Sequence, residues 1–391
     1  MTIRVNKPSF NFREKLTKLE RPIGVKGNQI AGAETTDDVR RLINAGRKNM
    51  IINGDMRISQ KVGTTATTVA NGGCYIDRYR WDTGSGGGLS IQQVTDAPPG
   101  FSHSLKLTVT TADTGISSTE YFYFRQIIEG NNITHLKWGT QYAKTVTLSF
   151  WVRSNVVGKH GGSLFNNDFN RSFPFEYEIL EPNIWQYVSI VIPGCPDGAW
   201  ATDHQRGISL VFCQESGSSY TGNPGRWNSA GDIGPNNLVN LLHTVGNTWY
   251  MTGLQLEESG VATEFEHRSY GEELALCQRY FYINGGEQHD IISQAFSPHT
   301  TEIAVAWPHP TEMRTVPTVT ISSTNNNNTD FYFRTINNTG FSLTGNGRST
   351  SQMTKHHASI WFNGVSGVPA VPGQVRVQNG RTAFIHLSAE Y

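Results

Sequence analysis

TEFEHRSYGEELALCQRYF, residues Thr263–Phe281, is the passage on which the reading of this chain turns. It is dense in charge and helix-like, in a second half that otherwise reads as strands and turns. Before it, WYMTGLQLE at Trp249–Glu257 reads as a last strand. After it, a second β-rich region runs to Tyr391. The passage therefore marks a join between two β regions. Within it, Gly271–Phe281 predicts a short helix. Glu272 and Glu273 are favourable charges in its first turn, and Leu274, Cys277 and Phe281 fall on one side.

Working outward, the stretch from Asn49 to about residue 270 shows period-two alternation or short apolar runs. Strands are expected over Leu89–Val94, Ser104–Thr110, Glu120–Ile128, Thr145–Arg153, Phe173–Leu180, Trp185–Ile192, Ile208–Cys213 and Trp249–Leu256. In TLSFWVR, Leu148, Phe150 and Val152 share a face. Turn signals such as GSGGG at Gly84–Gly88 separate the runs. Eight to ten strands with long loops predict a two-sheet jelly roll. No repeat of 20–50 residues is visible, which argues against a β-helix. Beyond the join, Ile303–Trp307, Thr318–Ser322, Phe331–Thr335, Phe341–Thr344, Ala358–Phe362 and Ala383–Ala389 predict a second, smaller antiparallel sandwich. The fold class expected is all-β, with residues 1–48 as an arm and short helix, 49–270 as the jelly roll and 271–391 as the C-terminal sandwich.

Composition supports this. A chain of 391 residues suits two or three domains. Only 16% of residues are charged and 40 are glycine, which suits sandwiches better than helical bundles. Lys and Arg total 32, as do Asp and Glu, so nothing steers the chain to nucleic acid or to an anionic membrane. No run of about 18 apolar residues is present, so no membrane insertion is expected. MTIRVNKPSFNFREKL lacks the apolar core of a secretory signal. Cys74, Cys195, Cys213 and Cys277 form no CxxC pair and read as buried free thiols.

The first 33 residues mix charge, glycine and proline without a period and cannot bury a core alone. Phe10, Phe12, Leu16, Leu19 and Ile23 are nevertheless too apolar for a solvated linker. They read as an arm that docks on another chain. ETTDDVRRLINAG at Glu34–Gly46 predicts a helix with acidic residues in its first turn and Gly46 as its stop. It is marginal alone and needs a surface, its own sandwich or a symmetry mate.

For catalysis the residues offer little. Glycoside hydrolysis needs two carboxylates facing across a cleft. Glu257–Glu258 and Glu272–Glu273 are adjacent, and neighbours on a strand point to opposite faces. GxSxG, HExxH and phosphate-cradling loops are absent from the sequence. His356–His357 reads as a surface strand pair rather than a metal site. No cofactor is expected. A structural calcium is compatible with such a fold, but no loop is dense enough in Asp and Asn to name. Glycan contact has an aromatic warrant, because rings serve as platforms for the C–H faces of sugars. Trp151, Phe150, Trp249 and Trp361 sit in strand patterns and are expected in the core. Trp200, in PDGAWATDHQ, and Tyr220, Arg226, Trp227 and Asp232, in and beside SGSSYTGNPGRWNSAGD, sit in polar loops and are the candidate glycan-binding residues.

Thr263–Phe281 resembles the end of the first sandwich domain of many tailed-phage virion proteins, tail fibres especially. NMIINGDMR at Asn49–Arg57, followed by YIDRYRW at Tyr75–Trp81, resembles the opening of that domain, which looks like a carbohydrate-binding-module jelly roll. WPHPTEMRTVPTVT at Trp307–Thr320 and the terminal FIHLSAEY are similar to the small C-terminal domain that often follows. Val25–Met56 resembles the linker ahead of the domain, where the preceding segment docks on the particle. The resemblance implies a non-enzymatic virion part, assembled in a host cytoplasm. Its partners would be other virion proteins of the tail or capsid, reached through the arm. A homotrimer and a host-surface glycan are also implied. The chain has no coiled-coil or collagen-like shaft, so a short tail fibre or tail-associated receptor-binding protein fits better than a long fibre. A capsid decoration or head-fibre protein is the alternative, and a polysaccharide-degrading enzyme the less favoured one.

Overall fold

In the computed structural model, residues 32, 47–287, 289–323, 330–343, 347–349, 353–363 and 365–391 are described. The anchoring residues Phe10, Phe12, Leu16, Leu19 and Ile23 and the helix expected over Glu34–Gly46 lie outside them. Asn49–Tyr391 form one compact unit. Its described residues are all-β, apart from short 3-10 turns and one α-helix.

Two antiparallel sheets form the first sandwich. The six-stranded sheet runs Thr67–Thr68, Gly88–Val94, Ser104–Thr111, Thr248–Glu257, Val146–Ser154, Gln186–Ile192. The five-stranded sheet runs Arg80–Thr83, Tyr121–Glu129, Arg206–Ser216, Gly158–Phe165, Ser172–Ile179. The chain crosses repeatedly between them, as in a jelly roll. Leu148, Phe150 and Val152 point inward together, as the alternation required. They meet an aromatic core centred on Phe212, which stacks on Phe124 at 5.3 Å and takes Phe150 edge-on at 5.1 Å.

The expected strands appear, with ends that differ from expectation by up to three residues. Gly158–Phe165 was not expected, because GKHGGSLF does not alternate. Its glycines are there for closeness: a Cβ on Gly162 would lie 1.9 Å from the Val211 carbonyl oxygen. Trp151 and Trp361 correct an expectation too. Both are half-buried on the outward phase of their strands, opposite the core residues on either side. The four cysteines are free, three buried and Cys74 half-buried.

Helix α1, Tyr270–Gln278, follows the sandwich. Ser269 caps it, its hydroxyl accepting from the Glu272 N–H at 3.2 Å. Phe281–Gly286 then opens a three-stranded sheet with Ala383–Ser388 and Thr318–Ser323. A seven-stranded sheet runs Gly340–Ser342, Phe331–Thr335, Pro372–Val377, Ile291–His299, Glu302–Pro308, His357–Asn363, Gly347–Ser349. Ile303, Phe331, Phe362, Val375 and Ile385 are among the residues of a core separate from that of the first sandwich.

The opening motif and the join meet in space. Arg268 is buried and donates to the Ile51 carbonyl at 3.0 Å and to that of Asn49. Glu273 accepts from the Asn53 N–H and pairs with Arg268. Beside this strap, Glu129 is buried at the end of its strand. It accepts from Arg279 at 2.7 and 2.8 Å and from the Tyr280 hydroxyl. Arg78 lies 3.3 Å from the centroid of the Tyr280 ring and pairs with Glu390 at 2.7 Å. Burial pushes the Glu129 carboxyl up, but the hydrogen bonds from Arg279 and Tyr280 bring it below the usual range. Breaking such a buried pair leaves uncompensated charge. Glu129→Ala is therefore expected to cost about 3 kcal/mol in denaturant unfolding; a loss below about 0.5 kcal/mol would remove the pair from any structural role.

Glu215 makes a second, opposite case. It is buried in Arg206–Ser216. Burial pushes its pKa up to about 7, and the charges of Asp113 and Glu120 add to the rise. Because the folded value lies above the unfolded one, its contribution to stability is full below about pH 4.5 and is lost as pH rises through about 7. Glu215→Gln should thus stabilise the protein at pH 8 by on the order of 2 kcal/mol and leave it nearly unchanged at pH 4.5. Equal effects at both pH values, in urea titrations, would contradict this.

Candidate functional site

Arg206 pairs with Glu129, so the strand that ends at Glu129 and the strand that begins at Arg206 share one end of the sheet. The loop leaving the first and the loop entering the second therefore lie side by side. The first carries Trp138 and the second Trp200. A third ring comes from the long connection after Ser216. That connection bridges to Ser172 through Asn228, which sets Trp227 beside Phe173 at 5.3 Å.

The three indoles meet edge to face. Trp138 and Trp200 are 4.8 Å apart at 77°, Trp138 and Trp227 5.3 Å at 78°, and Trp200 and Trp227 5.7 Å at 82°. Each N–H is satisfied by main chain: Trp138 donates to Lys144 at 2.7 Å, Trp200 to Asp197 at 3.1 Å, and Trp227 to Pro193 at 2.8 Å. The rings are thereby fixed, and what they can offer a ligand is carbon surface. Arg171 steadies the Trp200 loop with a two-pronged pair to Asp197 at 2.7 and 2.9 Å. That guanidinium holds the Asp197 carboxyl below the usual carboxylate range.

Trp138 and Trp200 line an open cleft of about 420 Å³. Tyr142, 68% exposed, stands over it. Thr134, Thr140 and Thr202 add hydroxyls and Lys137 the positive charge. No carboxylate is among the lining residues. The arrangement can hold a molecule with apolar faces and hydroxyl edges, neutral or acidic.

The loop candidates thus separate. Trp200 and Trp227 come together. Arg226 is exposed next to Trp227 and lines none of the cleft. Tyr220 packs edge-on to Tyr121 at 5.4 Å, in a satellite cluster with Tyr123, Phe165 and Ile233. Asp232 is buried and exchanges hydrogen bonds with Ser172. Sequence reasoning passed over Trp138 and Tyr142. The criterion that selected Trp200, an aromatic residue in a polar loop, applies equally to HLKWGTQY at His135–Tyr142.

The carboxylate pairs are engaged elsewhere. Glu257 is buried and accepts from the Thr263 N–H and hydroxyl at 2.8 and 2.7 Å, while Glu258 pairs with Lys144 at 2.9 Å. His356 and His357 are exposed. Among the described residues, no group of three or more His, Cys, Asp or Glu is placed to hold a metal, and no helix is long and apolar enough to cross a membrane.

No protein-family model matches the chain, and no curated protein matches it. Solved structures similar to it include the enzymatically active domain of tailspike protein 4 of bacteriophage CBA120, 13% identical with a TM-score of 0.29; the match covers 55% of this chain but 21% of that one. A putative sugar-binding protein of Bacteroides thetaiotaomicron is 11% identical with a TM-score of 0.30, covering 54% of this chain and 100% of that one. The family 11 carbohydrate-binding module of a cellulosomal cellulase of Clostridium thermocellum is 11% identical with a TM-score of 0.23, covering 53% and 99%. At these scores the likenesses bear on neither function nor assembly.

Proposed function

We propose that the protein is a non-enzymatic part of a tailed-phage virion, a short tail fibre or tail-associated receptor-binding protein that contacts host-surface glycan through the Trp138–Trp200 cleft. The observation that carries the glycan reading is the cleft itself. Two fixed indole rings and an exposed tyrosine stand over hydroxyls and one lysine, with no carboxylate among the lining residues. The resemblance of Asn49–Arg57 and Thr263–Phe281 to virion sandwiches supports the seat on a particle. Residues 1–48 act as the arm that docks there, and a homotrimer matches the symmetric sites such appendages meet. The engagement of Glu257 with Thr263 and of Glu258 with Lys144 supports the non-enzymatic reading.

Binding to a panel of bacterial surface polysaccharides tests the cleft. Trp200→Ala and Tyr142→Ala should each weaken binding about tenfold or more, as loss of a ring at the centre of a contact does. Because Tyr142 is largely exposed, its loss leaves folding intact. Unaltered affinity in both variants would eliminate the cleft as the binding site. Release of reducing sugar from any of the polymers would overturn the non-enzymatic reading. Antibody against the C-terminal sandwich should label virion tails; label over heads would replace the tail seat with a capsid one.

A further inference from the structure

A second concavity lies on the outer face of the six-stranded sheet. It begins with an irregularity in the central strand Thr248–Glu257. Trp249 and Met251 point to the core, but so do Leu254 and Leu256. The inward phase slips by one residue, and a register shift between Thr252 and Gln255 absorbs the slip. Gly253 sits there at φ +64°, and a Cβ on it would lie 2.7 Å from the Phe101 ring and 3.2 Å from that of Trp151. The bulge therefore floors a groove of about 530 Å³ with rings on both flanks.

One flank is Trp151 and Tyr187, cross-strand partners whose rings are 5.4 Å apart. The other is Phe101, Phe265 and His267, brought from two separate loops and mutually within 5.0–5.5 Å. Tyr187 is 47% exposed, and Glu264 and His267 stand exposed at the rim.

We propose that this groove is a second carbohydrate-binding site, one that takes an uncharged pyranose chain, on residues separate from the Trp138–Trp200 cleft. The groove opens on the face of the sheet. The strands under the groove are paired with one another, so a strand added at the free edge of Gln186–Ile192 would lie beside the groove and not in it. What remains on offer is ring surface flanking a narrow floor and polar side chains at the rim, the two features by which sugars are held. Among the lining residues there is no Lys or Arg to draw an acidic sugar, so the groove suits a neutral one. The cleft lined by Lys137 admits an acidic one as well.

The test is calorimetric titration of the full chain with neutral hexasaccharides of glucose, galactose, mannose and N-acetylglucosamine. The variants are Tyr187→Ala, His267→Ala and Trp200→Ala, with thermal midpoints as the check on folding. The expected result is that at least one hexasaccharide binds, that Tyr187→Ala weakens it about tenfold, and that Trp200→Ala does not. A loss confined to Trp200→Ala would assign all binding to the cleft and overturn the second site. A loss confined to Tyr187→Ala would uphold it and leave the cleft without a neutral ligand. If no hexasaccharide binds, the proposal fails; a fall in oligomeric state with Tyr187→Ala would then make the groove a seat for a second copy.

Discussion

A carboxylate taken out of water must find its counter-charges in the protein, and Glu129 finds them in residues about 150 positions further along the chain. Arg279 and Tyr280 close on it from the first turn of chain after α1. Arg78 fills the space over the Tyr280 ring while pairing with Glu390. Four remote segments are thus held by one buried polar knot. Arg78 has φ +78°, an unfavourable conformation for a side chain of its size. It persists because its guanidinium is fixed on three sides, by Glu390, Tyr280 and the Ile127 carbonyl at 2.7 Å. Apolar packing between two sandwiches would tolerate sliding. Directional charge pairs of this kind specify one docking geometry.

The strap formed by Arg268 and Glu273 works next to this knot and for the same reason. It ties the first residues of the sandwich to the residues that leave it, so that Asn49–Met56 becomes part of the core rather than a loose entry. Asn49 itself bonds the Leu254 carbonyl and accepts from the Leu256 N–H, at 3.0 and 3.1 Å. Those are the residues just past the bulge at Gly253. The strap that orders the entry thus also secures the strand whose irregularity floors the groove.

The two concavities draw on different means. The cleft is a loop structure, in which three indoles support one another and every N–H is spent on main chain. The groove is a sheet structure, in which strand pairing places Trp151 against Tyr187 and a glycine opens the floor. Lys137 lines the cleft, whereas neither Lys nor Arg lines the groove.

Much of the fold was legible in the chain. Alternation placed Val146–Ser154 and Gln186–Ile192, because a half-buried strand writes its two faces in its sequence. The phase slip from Met251 to Leu254 also carried the bulge in plain view, had alternation been followed through the strand. Gly158–Phe165 was not legible, since its glycines answer to neighbouring carbonyls and not to a period. The sequence by itself determined the all-β class, the helix after Ser269 and the polar-loop position of Trp200 and Trp227, all consequences of local pattern. Only the tertiary structure decided that Trp138 joins those rings, that Asp232 turns inward to Ser172, and that Glu273 is a buried ion-pair partner as well as a first-turn charge. Each depends on which distant segment lies alongside, and that proximity is set by strand register and by the buried charges that must be met.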